Sequence, residues 1–94
     1  MAQFIMAMNI NQNAKRQFPN ISHHVNESLS CFKNNKIKII NLFATLGRFD
    51  YIAFFEAEDQ TKAFKVAAEI NGLGILDTET WPVVPFEDFA QLLK

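Results

Sequence analysis

Asp50 and Glu56 are the residues of this chain best suited by type to act on a small molecule, and Asn41 and Thr45 fall on the same side of the segment that carries them. Together the four could ring a pocket and orient a polar ligand, with Asp50 as the best candidate for a general base. Six residues of strand would separate the two carboxylates by roughly 20 Å, so they cannot form an acid/base pair within one subunit. The plainer alternative is that Asp50 bonds Thr45 or a backbone amide beside a turn, with Glu56 solvated at a strand end. Arg48 could clamp an anion at the mouth of such a site, although turn arginines more often stay in solvent or pair across a subunit boundary. His23-His24 resembles a metal-ligand pair, but neighbouring helical positions point about 100° apart. His24, Ser28 and Cys31 share one helix edge, which reads as solvated or boundary-facing. His24 and Cys31 would lie about 10 Å apart along the axis, too far to share one ion. No CxxC, HxH or HExxH spacing occurs, so neither a metal nor a cofactor is expected. Gly72-Leu73-Gly74 follows a helix, whereas phosphate cradles precede one.

The elements that must position these residues follow from periodicity. Residues 3–10 alternate, with Phe4, Met6, Met8 and Ile10 forming one apolar face of a first strand. Asn11-Gln12-Asn13 is a polar break. Ile21, Val25, Leu29 and Phe32 then recur at helical spacing, with Pro19 and Asn20 at the helix start and Asn34-Asn35 at its end. Residues 37–46 and 49–56 form the arms of a hairpin, joined by Gly47-Arg48 as a two-residue type II′ turn. That register sets Thr45 opposite Asp50, Ala44 opposite Tyr51 and Phe43 opposite Ile52. One face of the arms carries Ile40, Leu42, Ala44, Leu46, Phe49, Tyr51, Ala53 and Phe55 and suits a helix-covered core. The other carries Ile39, Asn41, Phe43, Thr45, Asp50, Ile52, Phe54 and Glu56, apolar with a few polar groups, as a wall facing a partner sheet or a pocket is. Asp59 is a natural N-cap for a second helix, with Ala63, Phe64, Ala67 and Ile70 inward and Gly72 as the left-handed residue that closes it. Residues 75–84 form a fourth strand, placed at a sheet edge by Pro82. Pro85 opens a short last helix whose sticky side is Phe86, Phe89, Ala90, Leu92 and Leu93.

The order βαββαβ plus a terminal helix specifies an α+β, ferredoxin-like fold with a four-stranded antiparallel sheet. Residues 1–94 read as one domain, which at this length buries only roughly 60–65% of the surface its unfolded chain exposes. Yet 49% of the residues are hydrophobic and ten are Phe, an excess that suits burial between subunits. Nine Lys/Arg against ten Asp/Glu give a net charge of −1 with no like-charge run, which argues against phosphate-tracking nucleic-acid binding. Phe49 and Tyr51 could imitate the stacking aromatics of an RNA-binding sheet, but they fall on the face assigned to the core. Trp81 suits an interface anchor. The one cysteine, Cys31, permits no internal disulfide and fits a reducing cytoplasm, and no apolar run approaches the ~20 residues that span a bilayer.

Three short motifs carry a family resemblance. Thr45-Leu46-Gly47-Arg48-Phe49-Asp50, then Glu56-Ala57-Glu58-Asp59, then Thr78-Glu79-Thr80 resemble the GYD-domain proteins in order and spacing. Phe49 stands where that family usually has Tyr, so a phenol hydroxyl is absent. The resemblance implies a dimeric α/β barrel in which two sheets face each other around a cavity. It implies a homodimer or higher homo-oligomer acting as a small-molecule-binding or interaction module, without nucleic-acid or membrane partners. The expected ligand wall is Asn41, Phe43, Thr45, Arg48, Asp50, Ile52 and Phe54. Two alternatives remain at this point: a cofactor-free enzyme of monooxygenase or isomerase type using Asp50, and a structural assembly subunit joined through the Phe86, Phe89 and Leu93 edge.

Overall fold

In the computed structural model, which describes all of residues 1–94, the alternation at the start of the chain becomes a central strand, β1 (Ala2–Ile10). Its Phe4, Met6 and Met8 are buried on one side, while Gln3, Ile5 and Asn9 are half-buried on the other. Then follow α1 (Gln12–Gln17), α2 (Ile21–Asn34), β2 (Ile39–Ala44), β3 (Tyr51–Ala57), α3 (Gln60–Gly72), β4 (Leu76–Val83) and α4 (Phe86–Leu92). The strands form one antiparallel sheet in the order β2-β3-β1-β4. This is the ferredoxin-like arrangement the element order requires, with β4 and its Pro82 at an edge.

The helices cover one face over β1, β3 and β4 but not over β2, where Leu42 and Ala44, expected in the core, are exposed. Phe55 stacks on Phe4 at 5.4 Å between ring centroids and meets the edge of Phe32 at 5.0 Å, tying β3, β1 and α2 together. Val25 of α2 and Ala63, Val66 and Ile70 of α3 complete this core with Met6, Met8 and Leu76. Asp59 caps α3 by accepting from the Lys62 amide at 3.0 Å. Burial of that many large apolar groups is the dominant stabilising term.

Several local expectations are corrected by the structure. The polar break after β1 is a helix: Asn11 accepts from the Asn13 and Ala14 amides and so caps α1, and Ala14 anchors it in the core. The hairpin register is as expected from Ala44↔Tyr51 to Phe43↔Ile52. Beyond Asn41 a bulge inserts Ile40, so Ile39 pairs with Phe55 and packs against the core, while Ile40 turns out to solvent. A bulge adds one unpaired residue and so inverts the faces beyond it. The hairpin tip is not a two-residue type II′ turn. Residues 45–50 form the loop, and Gly47 is not among the residues with positive φ. Leu46 is fully exposed and Phe49 is not in the core. In α3 the inward stripe is Ala63, Val66 and Ile70, leaving Phe64 about 100° away and exposed. Gly72 belongs to α3, and the left-handed residue is Gly74, at φ 76°. On α2, Ser28 and Cys31 are buried rather than solvated.

Candidate functional site: the open face of the sheet

No helix covers the second face of the sheet. The strand pairings place Asn41, Phe54, Ile5 and Trp81 in one row across it, and Phe43, Ile52, Ala7 and Glu79 in the next. Large apolar groups therefore line its middle. Phe43 is 53% exposed and Trp81 41%, with Ile5, Ile52 and Phe54 half-buried. Of the expected ligand wall, Asn41, Phe43, Ile52 and Phe54 lie side by side on β2 and β3. Sequence reasoning left out Ile5 and Ala7 and assigned Trp81 to no face. The alternation of β1 and β4 holds that information, but only the pairing register brings those strands beside the hairpin.

Thr45, Arg48 and Asp50 are brought together at one end of this face by the 45–50 loop. Thr45 donates its amide to the Asp50 carbonyl at 2.9 Å and its hydroxyl to the Phe49 carbonyl. The Asp50 amide points at the end of β1, toward the Met8 carbonyl at 2.9 Å and Asn9 Oδ1 at 3.0 Å. The Asp50 carboxylate accepts from the Ile10 amide at 2.9 Å. That carboxylate therefore closes the backbone ladder where β1 outruns β3. Phe49 swings away from the core and meets Trp81 edge to face at 6.2 Å, and the Arg48 guanidinium lies 5.9 Å from the Phe49 ring centroid. Glu56 sits at the opposite end of the face, opposite Gln3.

The other polar clusters lead elsewhere. His23 and His24 approach Glu27 at 2.9 and 3.7 Å, and His24 also packs on Phe18 at 4.4 Å. No three metal-ligating side chains converge anywhere in the chain. Burial, with the Glu69 charge adding to it, pushes the Cys31 thiol up from its ordinary range. No helix is long and apolar enough to cross a membrane.

A family model described as the GYD domain matches residues 4–93, nearly the whole chain. The protein belongs to the GYD domain family. No curated protein matches its sequence. Among solved structures it is similar to MtbAldR, with a TM-score of 0.63 at 12% identity over 89% of this chain and 53% of that one. It is likewise similar to a feast or famine regulatory protein from M. tuberculosis complexed with L-methionine, with a TM-score of 0.63 at 7% identity over 90% of this chain and 51% of that one. The GYD chain thus spans about half the length of those two proteins. A third structure, FFRP-DM1, is matched over its full length, with a TM-score of 0.62 at 14% identity over 89% of this chain. At such identities these likenesses establish the ferredoxin-like fold alone.

Proposed function

We propose that this GYD protein is a cytoplasmic homodimer that binds a small molecule between the open faces of two sheets. One observation carries the reading. Phe43 and Trp81 are half exposed on a face whose middle is otherwise Ile5, Ala7, Ile52 and Phe54, and a contiguous apolar surface of this kind marks an interaction or ligand site. In the dimer, Phe43, Ile52 and Phe54 supply an apolar wall and Asn41 a hydrogen-bonding group. Thr45, Arg48 and Asp50 stand at the rim, where Arg48 suits a ligand carboxylate. The feast or famine protein with bound L-methionine makes amino acids a sensible first class of ligand to try. An enzymatic role for Asp50 is disfavoured, because its carboxylate already serves the Ile10 amide.

Light scattering at micromolar concentration tests the dimer, with Phe43→Glu expected to stay folded and to lose the association that the open face supplies. A stable wild-type monomer refutes the reading. Trp81 is the sole tryptophan and stands on the proposed wall, so its fluorescence reports both dimerisation and ligand titration. An emission spectrum that is the same in wild type and Phe43→Glu, and unmoved by any amino acid, counts against the cavity.

A further inference from the structure

The helix α4 has no buried residue and packs against no other element to any substantial extent. Phe86, Phe89, Leu92 and Leu93 are nonetheless all exposed, from 44% at Phe89 to 77% at Phe86. They occupy one side of the helix, and Glu87 and Asp88 lie on the other. The connector explains the isolation. Val84 precedes Pro85 and is therefore held extended, and Pro85 itself has φ −56° and ψ 144°. The chain thus leaves β4 in line instead of doubling back. The molecule is 53 Å long, and its radius of gyration of 14.4 Å exceeds the roughly 12 Å of a compact chain this size.

On the helix-covered side, between α3 and β4, lies a cleft of about 360 Å³. Its floor and walls include Phe4, Ala63, Ala67, Ala68 and Pro82, with Phe64 exposed at the mouth, and no lining residue is charged. Alanines leave room for another helix to approach closely. From Gln60 to Asn71 the groove runs about 16 Å along α3, and the seven residues of α4 need about 10 Å.

We infer that α4 of one copy docks into the α3–β4 cleft of a second copy, apolar side down. With roughly 100 Å² exposed on each of four side chains, α4 brings about 400 Å² and covers roughly a quarter as much in the cleft. Reciprocal exchange then buries about 1,000 Å², the size at which specific interfaces begin, and closes a two-fold pair without leaving a free arm. Glu87 and Asp88 remain in water. The exchange does not use the open face of the sheet.

The test is site-specific cross-linking on a Cys31→Ala background. Phe89→Cys and Ala67→Cys chains, each alone and then mixed, are oxidised; a disulfide-linked dimer is expected only in the mixture. No cross-link on mixing overturns the inference, as does a purely intramolecular disulfide in the doubly substituted chain, which would mean that α4 folds back on its own cleft. In the Phe43→Glu background, Phe86→Asp/Phe89→Asp is expected to weaken self-association at least tenfold with the melting temperature within a few degrees of Phe43→Glu alone. An unchanged dissociation constant overturns the exchange. The cross-link is expected to persist in the Phe43→Glu background. Its loss there would assign the contact to the sheet face, so this inference and the open-face dimer fail separately.

Discussion

Asp50→Ala separates the two roles open to this carboxylate. In the structure Asp50 Oδ2 accepts from the Ile10 amide at 2.9 Å in a half-buried setting. A hydrogen bond to a charged group is worth about 1.5–3 kcal/mol, and an amide left unpaired adds to the loss. Partial exposure lets water replace some of it, so about 1.5 kcal/mol is expected. For a domain of this size that is a fall of roughly 6–12 °C in melting temperature. Thermal and urea unfolding measure it, and amide hydrogen exchange locates it: the Ile10 amide should exchange far faster while core amides of β1 such as Met6 fall only with global stability. Asp50→Asn keeps one acceptor oxygen and should recover about half of the loss. If Asp50→Ala leaves both the midpoint and Ile10 exchange unchanged, the carboxylate is not fastening the end of β1, and a role facing the ligand regains its standing.

Two further outcomes follow from the core. Phe55→Ala removes a fully buried ring that touches Phe4 and Phe32 and should cost about 3–5 kcal/mol; a denaturation midpoint within 1 kcal/mol of wild type would show the aromatic cluster to be dispensable. Burial first, and the Glu69 charge second, raise the Cys31 thiol, so the native protein should resist thiol reagents at pH 8 and react once urea unfolds it. The sign follows: a raised folded value favours the fold below the unfolded thiol's range, and that contribution disappears as pH rises through the folded value. A Cys31→Ala variant should therefore lose less stability between pH 8 and pH 10 than the wild type.

The strand and helix order was legible because each element has its own periodicity: β1 alternates, and α2 repeats at three and four. What was hidden depended on partners far away in the chain. Ile40 is an ordinary strand residue by type, and only the pairing of Ile39 with Phe55 turns it into a bulge. Gly47 suggested a tight turn by its local sequence, yet the loop is shaped by the pull of Asp50 on the end of β1, forty residues back. Asn11-Gln12-Asn13 looked like a simple break because no apolar stripe marks α1, although Asn11 has the chemistry of an N-cap. Of the candidate site, the four residues of β2 and β3 were found from alternation alone. Trp81 and Ile5 required the cross-strand register.

The β4 edge of the sheet is blunted, which bears on which surfaces are free to be covered. On β4, Asn71 Oδ1 takes the Thr78 amide at 3.0 Å and the Thr78 hydroxyl at 3.1 Å. Pro82, two residue pairs further along, has no N–H to offer. These features blunt the edge against strand addition, so the β4 border presents side chains rather than backbone. The 45–50 loop closes one end of the open face through Asp50 on β1 and Phe49 against Trp81 on β4. The Gln3 and Glu56 end has no such cover. With strand addition blunted at β4 and one end of the face closed, the apolar middle around Phe43, Ile52 and Phe54 is the broad surface left for burial. In the proposed dimer it would be met face to face, with side-chain packing rather than backbone hydrogen bonding supplying the energy.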